Sequence, residues 1–283
     1  MNYRHAFHAG NFADVLKHAV LVRVLIHFAA KEAPFCMIET HAGAGRYDLA
    51  GEEASRSGEW REGIGRIFER PPGGEAGALL QPYLAVVRAE NPAGGLHIYP
   101  GSPALARALL RPQDRMIFCE LQPQERALLA ANTKGDRRAK VIEIDGWTAL
   151  KAYVPPPERR GLVLVDPSFE QPGEFGRLAA GLAEAHRRWA TGIYLLWYPI
   201  KDPVETEAFA RRVARLGMAK ILRIELTIGS LRPDESLAGC GLLVVNPPWT
   251  LEGEMTLLLP ELARALGREQ SGRQRLDWIA REA

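Results

Sequence analysis

The pattern of apolar and polar residues changes sharply near the start of the chain. From Asn11 to Ala30, apolar side chains recur every three or four residues, which predicts a helix. Pro34 ends this pattern, and Phe35 to Glu39 (FCMIE) form a short, almost continuous apolar run. Because the glycine-rich stretch THAGAG at residues 40–45 follows directly, the run indicates a buried strand that leads into a loop.

Strand-like and helix-like segments then alternate through the middle of the chain. The predicted strands are Met116 to Glu120, Val141 to Asp145, Leu162 to Asp166 and Ile193 to Trp197. The predicted helices between them are Ser102 to Leu110, Pro123 to Asn132 and Phe175 to Arg188. This alternation is typical of an α/β fold with a doubly wound, mostly parallel sheet.

The segment at residues 47–98 interrupts the alternation. Glycine and proline punctuate it as PPGG at residues 71–74 and NPAGG at residues 91–95. Two helical patterns lie around Trp60 to Phe68 and Leu79 to Ala89, and no clear core strand is present. We therefore expect a small helical insertion at residues 47–98, within a main domain formed by residues 1–46 and 99–283.

The last third of the chain follows a different pattern. Ala219 to Ile228 and Gly241 to Asn246 are strand-like, and only the turn-rich stretch SLRPDESLAGC at residues 230–240 separates them. A short connection cannot hold a crossover helix, so these strands are predicted to pair as an antiparallel hairpin.

Composition and charge narrow the class of protein. Hydrophobic residues make up 47% and charged residues 25% of the 283 positions, as in ordinary globular proteins. With a net charge of only +2, contact with nucleic acid would be confined to a local patch. Three cysteines inside or beside apolar runs indicate reduced, buried thiols and a cytoplasmic location. The sequence has no recognisable signal peptide and no apolar segment long enough to span a membrane.

Acidic residues stand at the ends of four predicted strands: Glu39, Glu120, Asp145 and Asp166. Each alone could be a turn former or a helix N-cap. Together they predict a ligand site, because buried carboxylates are costly without a partner and ligands bind at the carboxyl edge of parallel sheets.

The loop after the first strand narrows the choice of ligand. Gly43 and Gly45 allow the backbone to approach a ligand closely, but the third glycine of the dinucleotide fingerprint is missing. Glu120 is placed to bind ribose hydroxyls, and Asp145 with Gly146 would lie beside an adenine. An adenosine ligand without phosphates, such as S-adenosylmethionine, fits this set.

Two loops are candidates for chemistry on such a ligand. Methylation of an exocyclic amino group needs two acceptors for its N–H groups and an aromatic ring to hold an unstacked base. The corresponding sequence pattern is Asp or Asn, then two prolines, then an aromatic residue. Residues 246–249 (NPPW) match it fully, whereas residues 166–169 (DPSF) lack the second proline. Asp166 nevertheless ends a parallel strand on the edge that carries the other acids, whereas Asn246 ends what we take as the final strand, running the opposite way. We therefore predict Asp166, Pro167 and Phe169 as the catalytic loop, and we expect Trp249 to pack under the sheet.

Several long motifs resemble one family of bacterial enzymes. They are YRHAFHAGNFADVLKH, ETHAGAGRYDL, YPGSPALAR, the IDG turn, GLVLVDPSFE, LWYP and VVNPPW. The chain resembles, over essentially its whole length, the bacterial large-subunit ribosomal RNA adenine-N6 methyltransferase J family. The resemblance implies a class I methyltransferase (Rossmann-like) fold with a helical insertion, acting as a monomer on one adenine of 23S rRNA.

The resemblance also implies roles for individual residues. The implied S-adenosylmethionine contacts are His18, His41, Ser102, Glu120, Asp145, Gly146 and Asp166. Asp166 is also the implied catalytic acceptor, and Tyr3 matches a position that contacts the RNA. The family loop usually reads Asp-Pro-Pro-aromatic, so Ser168 is a departure that puts the rate in doubt.

The sequence leaves some alternatives open. His5, His8 and His18 could suggest a metal site, but no cysteine or carboxylate spacing supports one, and we expect no metal. A non-catalytic nucleic-acid-binding module, a nicotinamide-dependent oxidoreductase and a DNA adenine methyltransferase are the rival functions.

Overall fold

The computed structural model describes residues 4–230, 237–268 and 272–281. Its strands are β1 (Cys36–Glu39), β2 (Arg46–Asp48), β3 (Ile98–Pro100), β4 (Arg115–Cys119), β5 (Ala139–Ile142), β6 (Gly161–Val165), β7 (Ile193–Pro199), β8 (Ile221–Thr227), β9 (Gly239–Val245) and β10 (Arg273–Ala280). Its α-helices are α1 (Phe12–Ala29), α2 (Glu52–Ser57), α3 (Arg66–Glu69), α4 (Gly74–Ala89), α5 (Ser102–Leu109), α6 (Pro123–Asn132), α7 (Gly146–Ala152), α8 (Glu174–Arg188), α9 (Pro203–Ala214) and α10 (Leu251–Leu266). Within these ranges, no helix is both long and apolar enough to cross a membrane.

Eight strands form one sheet in the order β10-β8-β9-β7-β6-β1-β4-β5. The five strands from β7 to β5 in this order are parallel. The predicted antiparallel pairing of β8 with β9 is present, and β9 is also antiparallel to β7. The mostly parallel sheet with antiparallel C-terminal strands is therefore confirmed.

The expectation that Asn246 ends the final strand is wrong. β10 follows it in the chain and pairs with β8 as an antiparallel edge strand. The sequence of β10, RQRLDWIA, begins with exposed polar residues, so it lacks the continuous apolar run that marks a central strand. Charged pairs hold it in place, because Arg223 on β8 binds Asp277 on β10 at 2.6 Å and 2.9 Å.

The hydrophobic core has two parts, one on each face of the sheet. Helices α1, α4, α5 and α10 lie in one cluster, and α7, α8 and α9 contribute to the other. Helix α1 is buried on nearly every side, since α4, α5, α10 and β9 all contact it. As a consequence its polar residues Asp14, Lys17 and His18 lie inside the protein.

A short antiparallel pair closes the segment at residues 47–98. Strand β2 pairs with β3, and Tyr47 lies opposite Tyr99. Between them lie α2, a π turn at Arg61–Gly65, α3 and α4. The helices share one hydrophobic core with α1 and α10, so the assignment of residues 47–98 as a separate insertion stays a prediction.

Candidate functional site

A cavity of about 360 Å³ opens at the carboxyl edge of the parallel strands. The predicted residues that line it are His18, His41, Gly43, Ser102, Glu120, Asp166, Pro167 and Phe169. Gly45 contacts the lining by accepting a hydrogen bond from the backbone of Gly101. Tyr3 lies outside the described residues.

The loop after β1 adopts the backbone conformation that its glycines predicted. Gly43 and Gly45 have φ values of +61° and +74°, in the region that L side chains rarely adopt. The backbone N–H of Gly43 donates to Oε2 of Glu120 at 2.8 Å. The N–H of Gln122 donates to Oε1 of the same carboxylate at 2.8 Å. Glu120 is thus held by backbone donors with its carboxylate against the cavity.

Asp145 and Gly146 begin α7 beside the loop that carries His41. Oδ1 of Asp145 accepts the backbone N–H of Thr148 at 3.0 Å, so Asp145 does act as the N-cap considered above. A Cβ atom at Gly146 would lie 2.6 Å from the imidazole of His41 and 2.6 Å from the carbonyl oxygen of Thr40. Only glycine fits there. Burial lowers the pKa of His41 to about 4, which keeps its ring neutral.

Lys17 joins two carboxylates at the floor of the cavity. Its Nζ lies 2.6 Å from Oδ2 of Asp166 and 2.7 Å from Oδ1 of Asp14. Burial opposes the charge of Lys17, but the two carboxylates raise its pKa well above the usual range. Likewise, burial opposes the charge of Asp14, but His5 and Lys17 hold its pKa well below the usual range. Lys17 is therefore a charged partner fixed against the predicted catalytic carboxylate.

The contact between Lys17 and Asp166 is difficult to predict from the sequence, because the two residues are 149 positions apart. The only local signal is that Asp14 and Lys17 are three positions apart, which places both on one face of a helix.

Glu39 ends β1 as a buried carboxyl group. The hydroxyl of Ser102 donates to its Oε1, whereas Oε2 has no hydrogen-bond partner among the described residues. Burial raises the pKa of Glu39 to about 8, against the opposing effects of Ser102 and Lys17. A buried polar atom without a partner is costly. Because Ser102, which binds the same carboxyl group, lines the cavity, Oε2 is suited to a cationic group of a ligand that would favour the ionised form.

His18 is buried on α1 and lies at the end of a chain of hydroxyl groups. Its Nδ1 is 2.6 Å from the hydroxyl oxygen of Tyr99, which is 2.8 Å from that of Tyr83. Nε2 of His18 has no hydrogen-bond partner among the described residues. Burial lowers the pKa of His18 to about 3, so the imidazole is neutral.

The loop after β6 presents an aromatic ring beside Asp166. Phe169 has a φ of +52° and makes edge contacts with Phe175 and Trp197, at centroid distances of 5.0 Å and 5.9 Å. Ser168 replaces the second proline of the expected pattern, and its buried hydroxyl has no partner among the described residues.

The loop at residues 246–249 lies at the opposite edge of the sheet. The backbone N–H of Asn246 donates to the carbonyl oxygen of Lys220, just before β8. Its side-chain amide donates to the carbonyl oxygens of Ala190 and Gly192, just before β7. These contacts place Asn246 away from the cavity and use both N–H groups of its side-chain amide.

The expectation that Trp249 packs under the sheet is wrong, since its side chain is 86% exposed. The chain enters α10 two residues later, and Leu251 fills the buried position instead.

The N-terminal histidines bind carboxylates. His5 lies 2.9 Å from Asp14, and His8 lies 3.0 Å from Glu59. The side-chain hydrogen bond with Glu59 raises the pKa of His8 despite its burial. Over the described ranges, no three histidine, cysteine or acidic side chains converge as a metal site would require.

Comparisons with known proteins agree on one family. The family described as "Ribosomal RNA large subunit methyltransferase D, RlmJ" matches residues 32–280. The "Ribosomal RNA large subunit methyltransferase J" of Escherichia coli (strain K12) is 42% identical over 282 residues, covering 100% of both chains. The protein of the same name from Haemophilus influenzae is 39% identical over 286 residues, again covering 100% of both.

One solved structure is similar over nearly the whole chain. It is the crystal structure of a Legionella pneumophila protein, with a TM-score of 0.87 and 36% sequence identity. The match covers 95% of this chain and 98% of that one.

Proposed function

The chain belongs to the ribosomal RNA large subunit methyltransferase J family, and we propose that it methylates the N6 amino group of an adenine in 23S rRNA. Its fold is the class I methyltransferase fold that the sequence predicted. The observation that carries the proposal is Asp166, fixed by Lys17 at the carboxyl edge of the sheet and followed by Pro167 and Phe169.

The residues of the cavity fit S-adenosylmethionine. Glu120 offers a carboxylate, held by two backbone N–H groups, to the ribose hydroxyls. We assign the adenine to the side of the cavity lined by His41, where Asp145 and Gly146 begin α7 and Gly146 lets His41 pack closely. The methionine end has a cationic amino group, which suits the buried, unpartnered Oε2 of Glu39 beside Ser102. Bound there, the cofactor would supply an electrophilic methyl group on a sulfonium.

Asp166 then orients the amino group of the adenine. Lys17 occupies Oδ2 of the carboxylate, while Oδ1 has no partner among the described residues and can accept an N–H of the substrate. The carbonyl oxygen of Pro167 supplies the second acceptor, and Phe169 offers a ring face to the base. Two fixed acceptors facing a nitrogen that becomes positively charged lower the barrier by electrostatic stabilisation and positioning.

Lys17 also fixes the orientation of the Asp166 carboxylate. Its Nζ donates to Oδ2 at 2.6 Å, so Oδ2 already has a partner when the substrate binds. We therefore infer that Asp166 positions the amino group through Oδ1 and that the proton of the methylated nitrogen passes to water.

The remaining parts of the proposal concern the partner and its setting. We propose that the protein acts as a monomer in the cytoplasm on protein-free or early-assembly 23S rRNA, with Tyr3 near the RNA. The names of the full-length relatives support the large-subunit rRNA part of this proposal.

The test is methyl transfer from labelled S-adenosylmethionine to unmodified 23S rRNA, followed by digestion to nucleosides. We expect label in N6-methyladenosine with the wild-type protein and none with Asp166→Ala. Asn246→Ala is the matched control, because its loop lies at the other edge, and it should still transfer methyl groups. Loss of transfer in Asn246→Ala alone would reverse the choice of loop, and wild-type protein that binds no cofactor would refute the methyltransferase proposal.

A further inference from the structure

A buried chain of three polar side chains leads from the predicted insertion to the cavity. Tyr83 lies on α4, Tyr99 on β3 and His18 on α1. All three are at most 1% exposed. The two hydroxyl oxygens are 2.8 Å apart, and that of Tyr99 is 2.6 Å from Nδ1 of His18. The ring of His18 also stacks on that of Tyr99 at a centroid distance of 5.6 Å.

The hydrogen atoms along this chain can be assigned by their need for acceptors. Among the described residues, the hydroxyl of Tyr83 has Tyr99 as its one hydrogen-bond partner. If Tyr83 accepted from Tyr99, its own buried proton would have no acceptor, at a cost of about 1–3 kcal/mol. Tyr83 therefore donates to Tyr99, and Tyr99 donates to Nδ1 of His18.

This order fixes the tautomer of His18. A neutral imidazole whose Nδ1 accepts a hydrogen bond carries its proton on Nε2. If Nδ1 were also protonated, it would donate to Tyr99, and the hydroxyl proton of Tyr99 would lose its acceptor. Burial also disfavours the charged ring. The nearest carboxylate oxygen to Nε2, Oδ1 of Asp14, is 4.0 Å away, which is too far for a hydrogen bond. A buried N–H donor thus remains available at the cavity wall.

The family resemblance already implies that His18 contacts the cofactor. We propose that Tyr99 and Tyr83 are positioning residues for this contact, which fix the proton of His18 on Nε2 so that it donates to the carboxylate of the methionine part. The proposal rests on the proposed function. Tyr99 precedes Ser102 by only three residues, and Ser102 binds Glu39, the acceptor assigned above to the amino group. The carboxylate of the methionine part would thereby bind the neutral His18, and its amino group would bind the carboxyl group of Glu39, at the same end of the cavity.

The segment at residues 47–98 gains a role from this arrangement. Tyr83 comes from α4, and no other hydroxyl among the described residues donates to Tyr99. This segment thus supplies the first donor of the chain of hydrogen bonds that orients His18.

The first experiment measures the tautomer directly, in ligand-free protein. Nitrogen-15 NMR distinguishes protonated from unprotonated imidazole nitrogens, and the signals that vanish in His18→Gln identify those of His18. We expect a proton on Nε2 at neutral pH. A proton on Nδ1 would overturn the relay, whatever the protein catalyses.

The second experiment compares two ligands, S-adenosylhomocysteine and methylthioadenosine, which lacks the amino acid end. Tyr99→Phe should weaken binding of the first by roughly fivefold to tenfold and leave the second unchanged, because one hydrogen bond to His18 is lost. Tyr83→Phe should cause a smaller loss of the same kind. Tyr194→Phe removes an equally buried hydroxyl, bonded to the carbonyl oxygen of Trp189 on the other face of the sheet, and should change neither affinity.

Three outcomes separate the possible failures. Equal weakening of both ligands in Tyr99→Phe would overturn the carboxylate contact. Unchanged binding of S-adenosylhomocysteine in Tyr99→Phe would overturn the positioning role. Failure of the wild-type protein to bind either ligand would instead refute the proposed function.

Discussion

Replacement of Glu39 by glutamine should make the protein more stable at neutral and alkaline pH. The Glu39 carboxyl is 1% exposed, and burial raises its pKa to about 8, from an ordinary value of 4.5. Between these two values the native state keeps a proton that the unfolded chain releases. The stability of the wild-type protein should therefore fall as pH rises from about 4.5 to 8, and stay level above that.

The size of the effect follows from the two pKa values. At about 1.4 kcal/mol per pH unit, the difference between pKa values of about 8 and 4.5 corresponds to a loss of about 5 kcal/mol of stability. This loss is complete above about pH 8. Glu39→Gln has no carboxyl to ionise and cannot show this loss. Urea unfolding of both proteins at pH 5, 6.5 and 8 should give a difference that grows with pH. Glu75→Gln, which removes an exposed carboxyl on α4, is the matched control.

The same group should couple cofactor binding to proton release. At pH 7 Glu39 is mostly protonated, but a cationic amino group placed at its Oε2 would favour the charged form. Binding of S-adenosylhomocysteine should then release nearly one proton, which calorimetry in phosphate and Tris buffers detects as a difference in apparent enthalpy. Methylthioadenosine, without the amino group, should release none. Binding without proton release, or a pH-independent stability difference between Glu39→Gln and wild type, would refute the reasoning.

Two further predictions concern the floor and the wall of the cavity. Lys17→Met should lower the free energy of unfolding in urea by about 3–5 kcal/mol, because the buried Asp14 and the partly buried Asp166 lose their cation. It should also slow methyl transfer at least about 100-fold, and a full transfer rate would contradict the role given to Lys17. Gly146→Ala should weaken S-adenosylhomocysteine binding at least about tenfold in a calorimetric titration, because its Cβ would lie 2.6 Å from His41. Gly253→Ala, on α10 with nothing within 4 Å of the new Cβ, should leave binding unchanged and add about 0.5–1 kcal/mol of stability.

The parallel part of the sheet could be predicted because its strands are buried on both faces. A fully buried strand such as β6 (GLVLV) must be a continuous apolar run, and such runs are visible in a sequence. Strand β10 could not be found in this way. Its position depends on the ion pair of Arg223 with Asp277, residues that are 54 positions apart.

The site was predictable to the extent that its residues follow strand ends. Glu39, Glu120 and Asp166 could be placed on one edge because they follow the ends of the parallel strands β1, β4 and β6. Glu120 and Asp166 line the cavity there. The contact of Lys17 with Asp166 and the relay from Tyr83 depend on how α1 and α4 pack on the sheet. Neither packing is fixed by a local pattern, since α1 is buried on nearly all sides and shows no preferred face.

The choice between the two proline loops shows how strand direction outweighs a motif. Residues 246–249 match the sequence motif more closely, but β9 is antiparallel to β7 and ends at the opposite edge of the sheet. There the amide of Asn246 donates to the carbonyl oxygens of Ala190 and Gly192, which ties the end of β9 to the residues just before β7. These two hydrogen bonds hold the amide at the edge away from the cavity, where it cannot reach a substrate bound in the cavity. The same side-chain chemistry that makes Asn246 resemble a catalytic acceptor therefore gives it a structural role, and Asp166 meets the cavity only because β6 runs in the other direction.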